Sequence, residues 1–367
     1  MTTRRTTRRT TRGITRRVLR WTALVAAVPL ALGLAAAAAL RVQFAGTPAA
    51  WTRTTGHDAL WMGHAWVDGR RTEADVRALA VRLRASGIRD VYVHSGPFKY
   101  DGTLPSDRYA NAGNFLKWWR KNVPGVRVSA WLGQTLNDNG RLHLSLADPA
   151  ARARIVAGAR DLVAIGFDGI HYDFEPVPDG DGPFLGVLRE TRAAIGARLL
   201  SVATQQIEPL PGLRAPTGLA IGHDKYWTPD YFRQVVGLTD QVAIMTYDSW
   251  TPLRSLYGGY VARQASLALG LVPEDRTLLI GAPAYHDHGV PYADRAESVE
   301  AAAEGARLAL GAHGPRTEFG LALYVDFAAT EEDWKEYETA WVRGGPGGGS
   351  AESLGRADVR PAAVVPR

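Results

Sequence analysis

Between about Ala59 and Arg343 the chain alternates short apolar runs with helical patterns. The runs Leu60–Val67, Asp90–Ser95, Val126–Gly133, Gly169–Glu175, Leu200–Gln205, Gln241–Tyr247, Thr277–Tyr285 and Gly320–Phe327 predict strands. The stretches between them predict helices, several with start signals. Thr72 and Asp75 stand at capping-box spacing. Asp148-Pro149 and Thr228-Pro229 each put a capping residue before a proline at the first helical position. Thr330, ahead of Glu331-Glu332-Asp333, opens the last helix in the same way. Eight strands alternating with eight helices over about 285 residues predict a single-domain α/β fold, a (β/α)8 TIM barrel over residues 55–343. The competing arrangement is an open doubly wound sheet, but no Gly-x-Gly-x-x-Gly turn follows the first strand. The connection after the seventh strand, His286–Ala296, is too short for a second domain.

One strand breaks the rule that a barrel interior is filled by apolar side chains. In Gly169–Glu175, Ile170, Tyr172 and Phe174 share one face, while His171, Asp173 and Glu175 share the other at spacings of roughly 7 Å. Three ionisable groups on one face pack poorly and transfer protons well. In a barrel, chemistry sits where strands end at the C-terminal face. The predicted ends bring together Trp66 and Asp68, Trp131 and Gln134, Asp173 and Glu175, Gln205 and Gln206, Tyr247, Asp248 and Trp250, Tyr285 and Asp287, and Tyr324 and Asp326. Aromatic faces stack on the apolar faces of sugar rings, and amides and carboxylates bind hydroxyls. Such a mouth suits a carbohydrate better than a nucleotide. His286-Asp287-His288 is no metal site, because adjacent residues point in alternating directions and do not converge on one ion. No metal or cofactor is expected.

Charge changes the reading of the first 50 residues. The formal net charge is +6, but the first 20 residues hold eight arginines and no acid, which leaves 6 − 8 = −2 for the rest. The basic character belongs to a leader, so no nucleic-acid surface is expected on the folded part. The apolar run Trp21–Leu40 follows, broken by Pro29 and Gly33. Residues 1–50 therefore predict export, with the N-terminus cytoplasmic and the barrel secreted or membrane-anchored outside. A signal peptide cut near Ala37-Ala38-Ala39 and a retained anchor both fit. Thr15-Arg16-Arg17-Val18-Leu19 has the look of a twin-arginine signal. The membrane is touched only through this segment, and the barrel is expected to act as a monomer. The chain has no cysteine, which excludes disulfides and thiolate chemistry. Residues 344–367 open with a Gly-rich stretch, lack apolar periodicity and predict a disordered tail.

These residues resemble glycoside hydrolase family 18, the chitinase-like enzymes. The family's strand-four motif, Asp-Gly-x-Asp-x-Asp-x-Glu, stands here as Asp168-Gly169-Ile170-His171-Tyr172-Asp173-Phe174-Glu175. The strand-six pattern Met-x-Tyr-Asp is Met245-Thr246-Tyr247-Asp248, and Gly281-Ala282-Pro283-Ala284-Tyr285 is similar to the family's strand-seven pattern. The resemblance implies that Glu175 is the general acid. It implies that Asp173 orients the substrate's 2-acetamido group for attack on the anomeric carbon, the substrate-assisted exception to the two-carboxylate scheme. Tyr247 would hydrogen-bond the acetamido carbonyl and Asp248 a sugar hydroxyl. Met245, Tyr285, Tyr324, Trp66, Trp131 and Gln205 complete the expected substrate-binding set. The implied partner is an N-acetylglucosamine-containing glycan of the chitin, peptidoglycan or N-glycan type, cleaved at a β-1,4 bond.

The sequence departs from the family at two places. His171 replaces the motif's middle aspartate, and Tyr324 stands where a strand-eight tryptophan is usual. The insertion found after strand seven in some processive chitinases is missing, so an open cleft is expected. Two other readings remain: a glycan-binding barrel without catalysis, and a conventional two-carboxylate glycosidase with Asp248 or Asp326 as partner to Glu175.

Overall fold

The computed structural model describes residues 30–136, 143–286 and 296–345, with Ala27 and the backbone of 288–289 and 292–293. Eight parallel strands close into a barrel: β1 Asp58–Met62, β2 Ile88–His94, β3 Arg127–Thr135, β4 Gly169–Glu175, β5 Leu199–Thr204, β6 Gln241–Ile244, β7 Thr277–Pro283 and β8 Phe319–Tyr324, with β8 pairing back to β1. Around them lie α1 Glu73–Arg84, α2 Ala112–Asn122, α3 Pro149–Ile165, α4 Gly182–Ile195, α5 Pro229–Val236, α6 Arg254–Leu269, α7 Val299–His313 and α8 Glu331–Glu336, which runs on as a wide turn Tyr337–Val342. A short helix Arg214–Ile221 interrupts the β5–α5 connection. The predicted starts are in place. Asp75 accepts from the Thr72 amide at 2.7 Å, Asp148 from Ala150, Thr228 from Tyr231, and Thr330 from Asp333.

Strand alternation sorts the core into two shells. Leu60, Val91, Leu132, Ile170, Tyr172, Val202, Ile244, Ile280 and Leu321 face the helices in one buried cluster. Ala59, Trp61, Tyr92, Trp131, Ala203, Ala243, Leu279 and Ala322 form a second cluster along the barrel axis. The base of the barrel is tied by Asp58. Its carboxylate accepts from Leu321 N, Trp341 Nε1, Tyr337 Oη and Thr54 Oγ1, joining β1, β8 and the last helical turn.

His171 and the polar groups below it are partnered, as burial demands. His171 has no solvent exposure. Trp61 Nε1 donates to His171 Nε2 at 3.1 Å, and because an indole N–H can only donate, the ring proton sits on Nδ1, 2.8 Å from Ser201 Oγ. The ring stacks on Tyr92 at 3.7 Å. Below it Tyr92 Oη donates to Gln241 Oε1, Gln241 Nε2 to Asp90, and Arg127 Nε to Asp90 at 2.7 Å.

Residues 1–26 and 346–367, which carry the arginine-rich leader and the predicted tail, lie outside the described residues. Residues 30–43 are helical, and no helix among the described residues is long and apolar enough to cross a membrane. The end of this helix packs on α6, where a Cβ on Gly259 would lie 1.9 Å from Leu40 O.

Burial holds the pKa of His171 well below the ordinary value near 6.5. Below that value the unfolded chain takes up a proton that the folded interior refuses, so stability falls as pH drops. Thermal unfolding between about pH 7 and pH 5 should show a declining Tm, and His171→Asn should flatten the decline. An unchanged slope would assign it to another group, such as His94, which burial lowers to about 3.

Candidate active site

The candidate carboxyl pair stands on β4. Its register sets Gly133 of β3 beside Asp173, and Thr135 beside Glu175. Glycine is required at 133, since a Cβ there would lie 1.9 Å from the Asp173 carbonyl oxygen. The Asp173 carboxylate is fixed by Trp131, whose Nε1 donates to Oδ2 at 2.9 Å. Its Oδ1 is buried and finds no protein donor while both carboxyls are ionised. Glu175 hydrogen-bonds the Asp173 carboxyl when one of the two carries a proton.

The electrostatics agree. Withdrawal from water raises the Asp173 carboxyl, opposed by hydrogen bonds from Glu175 and Trp131. Glu175 stands well above the ordinary glutamate range. The causes are withdrawal from bulk water, then the charge of Asp173 and their mutual hydrogen bond, then Asp248. The Glu175 side chain is exposed to the solvent that fills the cleft, yet cleft walls surround it. Its desolvation is that of a recess, and the charge of Asp173 is the firmer reason for the shift.

Tyr247 of the β6 end is buried and stacks on Tyr324 at 5.2 Å, with Tyr285 edge-on to both at 5.8 and 5.7 Å. Tyr285 Oη donates to Asp248 Oδ1 at 2.8 Å. Asp248 and Trp250 both hold left-handed backbone angles, φ 52° and 66°, and each costs about 1–3 kcal/mol in a residue other than glycine. The loop is held by Glu297, which is 1% exposed and accepts from Asp248 N, Ser249 N and Ser249 Oγ at 2.7, 2.9 and 2.8 Å. Burial pushes the Glu297 carboxyl up to about 7 against the pull of those three donors.

A cleft of about 630 Å3 opens at this mouth, lined by Glu175, Gln205, Met245, Tyr247, Asp248 and Trp250 from the strand ends, with Ile221, His223 and Lys225 from the β5–α5 connection. Gln205 Oε1 is buried and unpaired beside it, free to accept from a ligand. Thus Glu175, Asp173, Tyr247, Asp248, Met245, Tyr285, Tyr324 and Gln205 come together. Trp131 is there too, but as the residue that fixes Asp173. Trp66 does not reach the mouth. β1 ends at Met62, so Trp66 falls in a turn whose indole donates to Asp326 Oδ2 at 2.6 Å and packs against Phe115. Asp326, bound to Trp66 and to Gly63 N, is likewise absent from the cleft lining. Asp287 lies outside the described residues, and His286 Nε2 pairs with Asp333 at 2.9 Å.

Sequence reasoning missed Trp61, Lys225, His223 and Glu297. The alternation of Asp58–Met62 could have flagged Trp61 as inward-facing. The other three lie in connections, where no periodicity marks a residue.

The closed eight-stranded parallel barrel is a fold shared with solved structures. Among solved structures it is similar to a class V chitinase from Pseudomonas fluorescens Pf-5 (16% identity, 77% of this chain and 98% of that one, TM-score 0.51). It is also similar to the spore cortex-lytic enzyme SleL from Bacillus cereus (14% identity, 77% and 73%, TM-score 0.53). A third is the Ostrinia furnacalis group IV chitinase in complex with allosamidin (14% identity, 77% and 98%, TM-score 0.50). No protein-family model and no curated protein matches the sequence.

The shared proton makes a measurable prediction. Carboxyl NMR titration should place Glu175 well above the ordinary glutamate range, and Asp173→Asn, by removing the neighbouring charge, should bring it down. A Glu175 that titrates normally in both proteins would remove the basis for an acid at this position.

Proposed function

We propose that this chain is an exported, retaining glycoside hydrolase that cleaves β-1,4 bonds next to N-acetylglucosamine by substrate-assisted catalysis. The observation that carries the reading is the Asp173–Glu175 pair on one strand face, in which Glu175 is held well above the ordinary glutamate range and opens beside Tyr247 into the cleft. Glu175 gives its proton to the glycosidic oxygen as the bond to the anomeric carbon breaks. The carbonyl oxygen of the 2-acetamido group forms the new bond to that carbon, and the leaving sugar departs as the alcohol. Asp173, held by Trp131, takes the acetamido N–H and balances the positive charge that develops on the group. Tyr247 Oη donates to the acetamido oxygen. Water then opens the cyclic intermediate, giving its proton to Glu175, and the two inversions retain the anomeric configuration.

His171, bonded to Trp61 and Ser201, keeps its ring away from Asp173 and stays neutral, so the pair keeps its own proton balance. The chitinase and SleL folds support a glycan substrate, and the Ostrinia complex supports a ligand of the allosamidin type. The arginine-rich start and apolar run support export.

Purified protein should release reducing ends from chitooligosaccharides, peptidoglycan or N-glycans, with inhibition by allosamidin. Glu175→Gln should lower turnover by roughly 10²–10⁴-fold while leaving the unfolding transition in place. Unchanged turnover would remove Glu175 as the acid. Tight sugar binding with no hydrolysis by the wild type would replace the enzyme with a lectin-like barrel.

A further inference from the structure

The loop after β6 is held in a backbone conformation that its own residues disfavour. Asp248 and Trp250 are both left-handed, and a bulky aromatic residue rarely adopts that region. Something outside the loop must over-determine the geometry. Two side chains grip it from opposite directions in the sequence. From two residues before α7, Glu297 accepts both consecutive amides, Asp248 N and Ser249 N, and the Ser249 hydroxyl. From the β5–α5 connection, Lys225 Nζ donates to Asp248 O at 2.8 Å and lies 5.5 Å from the centre of the Trp250 ring. The consequence is visible at the mouth. The Asp248 carboxylate is turned to Tyr285, and the Trp250 ring is left 49% exposed on the cleft wall. An indole with that much open face, beside a cleft, is a stacking platform for a sugar ring beyond the cleavage point.

We propose that Glu297 is a positioning residue for the reaction: by clamping the Asp248–Ser249 backbone it sets both the hydroxyl-binding carboxylate of Asp248 and the sugar-stacking face of Trp250. Glu297 touches neither the reacting bond nor the acid. It acts through the loop, and its effect is therefore on substrate engagement more than on proton transfer. The kinetic part of this inference rests on the glycosidase reading; the structural part does not.

Glu297→Gln keeps the size of the side chain but turns an amide NH2 toward donors. Hydrogen exchange of the peptide spanning residues 245–254 should speed up in this variant, because the two amides bind different carboxylate oxygens and the single amide oxygen of glutamine leaves one of them without its acceptor. On a chitooligosaccharide series, KM should rise by about tenfold for the longer substrates with a smaller change in kcat. Trp250→Ala should raise KM in the same length-dependent way, and the double variant should lose little more than the worse single one. Ser249→Ala removes the hydroxyl's bonds to Glu297 and Thr251 but leaves both amide bonds to Glu297, and should give a milder change in the same direction if Glu297→Gln does not fold. Unchanged exchange protection in Glu297→Gln or, failing that, in Ser249→Ala would overturn the clamp. Additive losses in the double variant would overturn its action through Trp250. A wild-type protein inactive on every glycan would overturn the glycosidase reading and leave the clamp to be decided by exchange alone.

Discussion

The site depends on one constraint: two carboxyls on one strand face, Asp173 and Glu175, each of which makes it harder for the other to carry a charge. Asp173 Oδ1 is sealed from solvent without a protein donor, and its other oxygen is already taken by Trp131. A proton shared with the neighbouring carboxyl, or a donor brought by a ligand, satisfies it. Proximity and withdrawal from water hold that proton on Glu175, at the open end of the strand, where a substrate can reach it. The pair thus assigns its own roles. The inner group is fixed by Trp131, and the outer one, raised further, is the better holder of the proton.

The barrel supplies what the pair needs. Closure of eight strands turns every second residue inward, so the same alternation that builds the axis cluster also stacks the polar groups by depth. His171 lies one layer below the carboxyls. It stands where the family motif has its middle aspartate. Its two nitrogens are occupied by Trp61 and Ser201, and its ring lies on Tyr92, so it is a packed, neutral member of the interior. Small residues matter for the same reason. Gly133 lets β3 pass close to Asp173, and any side chain there would push the strand away from the acid.

Much of this was legible in the chain. Period-two alternation and capping residues gave eight strands and the helix starts, because both are local consequences of backbone geometry. The reading went astray at the end of β1. The apolar run continues through Trp66, but the ladder stops at Met62, where the chain turns out of the sheet and Trp66 is bound by Asp326. A run of apolar residues records burial and does not record which layer does the burying. Trp61, five positions earlier, holds the inward place instead.

The sequence by itself determined the order of elements, the face on which Asp173 and Glu175 stand, and the residue types at the strand ends, since each follows from spacing along a regular backbone. The tertiary structure decided which of those ends meet and what each does there. Trp131 became the hydrogen-bond donor to Asp173 through a register of neighbouring strands, and Lys225 and Glu297 reached the Asp248 loop from connections 23 and 49 residues away in sequence. Such contacts depend on how the closed barrel brings distant loops to one rim, and no local pattern encodes that distance.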